Sequence, residues 1–311
     1  MLSAARGHPA LWPVLALSFN ALTWGVSWWP LRQLQALGLH PLWATVLIYA
    51  VVVAGLTLAR PRAWGQVLRA PSLWVLVLAA GTTNAAFNWA VTLGDVVRVV
   101  LLFYLMPLWA VLLARLLLRE RITAAALARV ALALAGAGVV LWPEGGGWPV
   151  PRTLAEGLAV LGGLSFALNN VMLRREAHRP QEARALAMFS GGVLVAGALA
   201  VAGGTGGPLA LDIPGPPAPA AAWLAGVAGM ALWLLGANLA LQFGAARLPA
   251  AVTAVVLISE VLFAAVSAVL LGAGVVTLPL LAGGALIVAA TLLSAQAAPP
   301  PVSDPAVRPP A

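Results

Sequence analysis

The chain has 311 residues, of which 62% are apolar and 8% charged, and its mean hydropathy is +0.98. Soluble domains carry about 25% charged and 45–50% apolar residues, so this composition excludes a soluble globular protein and indicates a polytopic membrane protein. The net charge of +8 comes from 17 arginines, with no lysine, against nine acids; lying between apolar runs, these arginines orient a membrane protein, and nucleic acid is excluded as a partner.

Apolar runs bounded by charge, Pro or Gly predict an all-α protein with ten transmembrane helices: 11–31, 42–59, 73–93, 97–117, 122–142, 154–173, 183–201, 221–243, 250–271 and 275–295. The first run is too long for a signal peptide and has no small-residue cleavage site, so it reads as a retained span. Residues 203–220 form a Gly/Pro loop, and 297–311 a disordered Pro-rich tail. With the N terminus inside, thirteen arginines fall on the cytoplasmic side (6, 60, 62, 69, 115, 119, 121, 174, 175, 179, 184, 247 and 308) and three opposite, Arg32, Arg98 and Arg152. That bias puts both termini in the cytoplasm and the chain in the inner (plasma) membrane. Arg129 lies within a span, near enough to its end to snorkel. Trp12, Trp28, Trp29, Trp43, Trp64, Trp142, Trp148 and Trp223 fall at span ends, as interfacial anchors do.

The chain repeats itself. At a shift of 154, Asn84 meets Asn238, Asn88 meets Gln242 and Thr123 meets Thr277; at a shift of 142, Trp24 meets Phe166 and Ser27 meets Asn169. The expected organisation is therefore two five-helix repeats, residues 1–148 and 149–296, followed by a cytoplasmic tail, 297–311. Five is odd, so the second repeat enters the membrane inverted, with a substrate site near the midplane between the halves.

Ten spans as five plus five, the Trp24-Gly25 step in the first span, and segment 248–272 (LPAAVTAVVLISEVLFAAVSAVLLG) resemble the drug/metabolite transporter superfamily, specifically its EamA-type exporters. These families often carry Glu-Pro inside the fourth span of a repeat and Gly-Glu at its end. Here the pattern is divided between the copies: Glu260 is followed by Val261, the first copy has Met106-Pro107, Arg119-Glu120 keeps the acidic end, and Ala273-Gly274 lacks it. The resemblance implies a membrane transporter whose motifs do not name a substrate.

Polar groups are costly in hydrocarbon, so those inside spans are candidates for function. Glu260 is about 10 residues from either end of its predicted span, roughly 15 Å deep, where a carboxyl is either neutral or paired with a cation. Asn20, Asn84, Asn88, Asn169, Asn170, Asn238 and Gln242 form a neutral polar set; Asn84/Asn88 and Asn238/Gln242 are four apart and share a helix face. They either line a cavity or hydrogen-bond helices together. Trp24, Trp89, Phe103, Tyr104, Trp109 and Trp233 are too deep for an interfacial belt. Pro107 predicts a kink beside Tyr104. The expected substrate site is Asn20, Trp24, Asn84, Asn88, Trp89, Tyr104, Asn169, Trp233, Asn238, Gln242 and Glu260.

Other classes lack their chemistry. With no cysteine, and with His8, His40 and His178 at span ends or in loops, the sequence offers no metal cluster, no catalytic site and no cofactor. An intramembrane enzyme is a remote alternative, there is no phosphate-binding loop for ATP, and no charged ring marks a channel. Phosphate esters demand a cation in the cavity. Neutral amides, aromatics and one acid instead suit a small amphipathic metabolite such as an amino acid, or, alternatively, a lipophilic cation exported against protons. The expected partners are that small-molecule substrate and the lipid bilayer, with a homodimer left open.

Overall fold

The computed structural model describes residues 11–117, 119, 122–142, 148, 150–176, 178–209, 211–245, 256–257 and 259–296. The predicted tail 297–311, part of the predicted ninth span, Arg6, Glu120, Arg121, Arg247, Arg308, and the side chains of Pro107, Arg174 and Gln242 lie outside this description.

The described residues form helices α1 (Leu11–Val26), α2 (Trp28–Ala36), α3 (Pro41–Ala59), α4 (Ala63–Arg69), α5 (Pro71–Leu93), α6 (Val96–Phe103), α7 (Met106–Leu117), α8 (Ala124–Leu141), α9 (Leu154–Arg175), α10 (Gln181–Ala202), α11 (Ala221–Ala245), α12 (Ser259–Leu270) and α13 (Leu278–Gln296). Six stretches among them are long and apolar enough to cross a membrane: 41–59, 71–93, 96–117, 154–173, 181–202 and 221–241. The only β feature among the described residues is one isolated bridge, Gly204 to Ile213, in the predicted Gly/Pro loop.

Two predicted spans are divided. The first breaks at Ser27 into α1 and α2, where the Ser27 hydroxyl donates to the Trp24 carbonyl (2.9 Å) in competition with the helix ladder. The fourth breaks at Tyr104-Leu105. Proline 107 has no N–H to offer the Phe103 carbonyl four residues back, and that carbonyl lies against Gly163 of α9, at a separation too short for any Cβ there. Helix α4, between the second and third spans, is an element the hydropathy pattern did not disclose, because its seven residues are too few to show a period.

Helix starts follow local chemistry. The His40 ring accepts from the Leu42 N–H ahead of α3, with Pro41 at its first position. Thr123 and Thr277 hold equivalent places: each hydroxyl accepts a backbone N–H three residues on, from Ala126 (3.1 Å) and Leu280 (3.3 Å). At α9, Thr153 and Glu156 form a reciprocal capping box: the Thr153 hydroxyl accepts from Glu156 N–H (3.2 Å) and the Glu156 carboxylate from Thr153 N–H (3.3 Å).

Packing inverts the soluble pattern. Leu116, Leu232, Leu262 and Leu270 are exposed while Asn20, Thr45, Thr83, Asn88, Ser165, Asn169 and Ser190 are buried, as expected of helices solvated by lipid outside and tied by polar groups inside. Helix α5 packs on α9 and α10, α3 on α10 and α11, α1 on α11 and α12, α7 on α9, and α8 on α13. Glycines set the closest crossings. At α5/α10, a Cβ on Gly81 or on Gly191 would strike the other helix's backbone; at α8/α13, one on Gly136 would stand 2.6 Å from the Gly283 carbonyl oxygen, and one on Gly283 the same distance from that of Gly136.

Candidate functional site

The centre of the site is a carboxyl and a phenol. Where the fourth span breaks, Tyr104 is left buried at the end of α6, and its hydroxyl donates to Glu260 Oε2 (3.0 Å), with the Leu257 carbonyl at 3.5 Å. Helix α1 reaches this point because its residue 25 is glycine: a Cβ there would lie 2.7 Å from the Glu260 carbonyl oxygen and the Phe263 Cβ. The Trp24-Gly25 step therefore packs one residue against α12 and turns its neighbour toward the interior. Trp28 strengthens the junction by donating its indole N–H to Ser267 Oγ (3.0 Å).

Aromatic rings continue inward from the pair. Phe103 is edge-on to Tyr104 (centroids 6.2 Å apart) and to Phe87 (5.0 Å), tilted against Phe166 (5.4 Å), and Phe87 meets Trp24 edge-on (6.4 Å). Trp24, Tyr104 and Glu260 are thus brought together by α1, α6 and α12, with Phe87, Phe103 and Phe166 between them. No ion pair to Glu260 is found among the described residues.

Asparagine 84 stands in a second group: its Oδ1 accepts from the Tyr49 hydroxyl (2.6 Å), its Nδ2 donates to the Ala80 carbonyl (2.8 Å), and Tyr49 lies beside Phe189 (5.7 Å). The chain has two tyrosines, and each donates its hydroxyl to a predicted site residue. Tyr49 was not among those residues; the available signal was a mid-span phenol, which needs a partner when buried.

The remaining residues are placed elsewhere. Asn20 donates to the Ala237 carbonyl (3.0 Å), joining α1 to α11, and Asn88, 2% exposed, donates to Thr45 Oγ1 (3.0 Å), joining α5 to α3. Trp89 packs on the His40 ring (5.4 Å) at the start of α3. Asn169 is buried on α9, its amide 3.5 Å from Asn170 Oδ1 and its own Oδ1 unpartnered in the structure. Trp233 and Asn238 are half-buried on α11.

Residues 11–142 match the EamA-like transporter family. A solved structure described only as the crystal structure of a protein is similar at 21% identity and a TM-score of 0.53, over 91% of this chain and 96% of that one; at that identity the likeness is one of fold. No curated protein matches the chain. The apolar helices, together with this match, indicate a multi-pass membrane protein, whose residues 11–142 are similar to EamA-like transporters. The resemblance read from Trp24-Gly25 falls inside the matched residues, and segment 248–272 lies beyond them.

The EamA-like region supplies half of an ionic cluster at one end of the helices. Arg98 Nε pairs with Glu156 Oε1 (2.7 Å), while Glu156 Oε2 accepts from Arg152 N–H (2.8 Å). Asp95 caps α6 by accepting from Arg98 N–H (2.8 Å), and its other oxygen accepts from Val275 N–H (3.1 Å). Arg32 donates to the carbonyls of Val91 (3.0 Å) and Gly94 (2.6 Å) and stacks on Trp28 (5.2 Å). The first-half segments 32 and 94–98 are thereby tied to 156 and 275. The T-x-x-E step at 153–156 was a readable signal for Glu156; its pairing with Arg98 was not, since it depends on α6 and α9 meeting.

At the opposite end, in the turn between α9 and α10, Glu176 is buried beside Arg179 (2.5 Å). Burial pushes its carboxyl up, but hydrogen bonds from Arg179 and Ser72 and the charges of Arg179 and His178 outweigh this and hold it below the ordinary value near 4.5. A lowered folded-state value contributes stability that is present above the ordinary value and lost as pH falls through the lowered one. The melting temperature is expected to fall more between pH 6 and pH 4 in the wild type than in Glu176→Gln, measured by thermal unfolding in detergent at both pH values; equal falls would show that Glu176 contributes nothing to acid sensitivity.

Proposed function

We propose that this chain is an exporter of small amphipathic metabolites bearing an amine, with amino acids the first class, working by alternating access between two inverted five-helix repeats, residues 1–148 and 149–296. The observation that carries the substrate class is the Glu260 carboxyl, held by the Tyr104 hydroxyl at the edge of the Trp24, Phe87, Phe103 and Phe166 rings and without a described cation of its own. A carboxylate beside aromatic rings attracts an ammonium group. Export follows from the resemblance to EamA-type exporters.

Reciprocal packing supports the repeat. Taking α1, α3, α5, α6–α7 and α8 as one copy and α9 to α13 as the other, α1 on α11 corresponds to α9 on α5, α1 on α12 to α9 on α7, and α3 on α11 to α10 on α5. The matching caps Thr123 and Thr277 and the end of the family match at 142 agree with it. In this reading there are ten spans in the inner membrane, with both termini cytoplasmic and 203–220 outside. Cysteine at Thr205 is expected to react with an impermeant maleimide in intact cells, and cysteine at Ser303 only after permeabilisation; the reverse would overturn the orientation.

Substrate class is tested by counterflow in liposomes with labelled amino acids, matched acids lacking the amine, and lipophilic cationic dyes. Uptake confined to amine-bearing amphipathic compounds is expected, and equal uptake of the matched acids would overturn the reading. The row of four rings favours one second reading, a lipophilic cation exchanged for protons, in which dyes move and amino acids do not.

A further inference from the structure

We propose that the arginine pocket beside α4 binds the phosphate of an anionic phospholipid headgroup. The pocket, about 350 Å³, is lined by Arg62, Gly65, Gln66, Arg69, Ala70 and Arg179. It lies where α4, the start of α5 and the turn between α9 and α10 meet, at the opposite end of α9 from the Arg98–Glu156 pair. Arg179 lines the pocket and is oriented by Glu176 through its Nε, so its terminal nitrogens are not the ones used in that pair. Arg62 and Arg69 make no ion pair with a described residue. Three guanidinium groups against one carboxylate leave an excess positive charge of two around the space, and guanidinium forks match phosphate oxygens.

Placement selects a lipid as the source of the phosphate. Helix α4 buries Ala63 and Val67 against the protein and presents Leu68, 61% exposed, outward. Trp64 is half-buried and donates its indole N–H to Thr57 Oγ1 (2.9 Å) at the end of α3. A short helix with an outward leucine, an anchored tryptophan and arginines on the remaining face lies in the interfacial layer, where headgroups are present at high local concentration. Basic pockets between membrane helices on the arginine-rich side hold anionic headgroups in this way. An arginine near such a surface contributes about fivefold in affinity, so losing two lowers it about thirtyfold.

The test uses the full chain in zwitterionic detergent. Native mass spectrometry and thermal unfolding are read with phosphatidylglycerol, phosphatidylcholine or inorganic phosphate added, for the wild type, Arg62→Gln/Arg69→Gln, and Arg152→Gln at the opposite end. Expected is retained phosphatidylglycerol and a raised melting temperature in the wild type and Arg152→Gln, with phosphatidylglycerol retention reduced at least tenfold in the double variant. Equal retention of the two lipids by the wild type, or undiminished phosphatidylglycerol retention in the double variant, would overturn the proposal. Stabilisation by inorganic phosphate equal to that by phosphatidylglycerol would also overturn it, in favour of a soluble phosphate ligand. If the double variant does not fold, the wild-type comparison of the two lipids by native mass spectrometry decides alone.

Discussion

Glu260→Gln is expected to weaken substrate binding by about 10- to 100-fold, the order of one charge-assisted hydrogen bond lost in a desolvated site, while the protein inserts and purifies normally. The amide retains the volume of the acid and still accepts from Tyr104, so packing is preserved and only the charge is removed. Tyr104→Phe is the companion: it leaves the carboxyl in place and removes the donor 3.0 Å away, and a smaller loss, about 10-fold, is expected. Binding by isothermal calorimetry and flux in liposomes separate the alternatives. A Glu260→Gln protein that binds substrate normally but no longer responds to a proton gradient would assign the carboxyl to proton coupling. Normal binding together with normal flux would leave it as a tie between α6 and α12.

Gly191→Ala is expected to be strongly destabilising at the α5/α10 crossing. The added carbon would be driven into the Val77 carbonyl and stand 2.9 Å from the Gly81 nitrogen. These are backbone atoms of α5, which cannot rotate away as a side chain does, so the helices must separate along their length; overpacking of this kind costs about 1–3 kcal/mol or more. Gly229→Ala is the control, because a Cβ there meets nothing within 4 Å and alanine favours the helix. Fluorescence-detected size exclusion after heating should show Gly191→Ala melting well below the wild type and Gly229→Ala at or above it. Equal melting of the two would mean that the α5/α10 contact does not limit stability.

Membrane character was legible because hydropathy sums over some twenty residues, and local errors average out. Continuity within a span was less so. Pro107 announced the break in the fourth span through its missing N–H, whereas the break at Ser27 arises from a hydroxyl that serves equally well in an unbroken helix. In the site, Trp24, Tyr104 and Glu260 were identifiable one by one as costly or bulky groups at depth, and the structure brings the three together. Asn20 and Asn88 were identifiable on the same grounds, yet they donate across helix pairs to Ala237 and Thr45. Sequence shows that a buried amide needs partners; whether these are substrate or helix depends on which neighbour stands opposite. Tyr49 and the Arg98–Glu156 pair escaped notice for the same reason, as each gains its meaning from a residue far away in the chain.

In the alternating-access cycle proposed above, the cluster of Arg32, Asp95, Arg98 and Glu156 has a kinetic consequence. If the two five-helix units rock, the end that holds this cluster opens only by pulling Arg98 from Glu156 and Asp95 from the Val275 N–H. These side chains are within reach of water, 35% and 10% exposed for Arg98 and Glu156, so dissolved ions compete with the pair over a distance of about 8 Å at physiological ionic strength. Turnover then becomes asymmetric toward salt: raising it on the Arg98 side speeds the opening of that face, and raising it on the other does not. A difference in ionic strength across the membrane would act as a throttle on the cycle even where the salt itself is never carried.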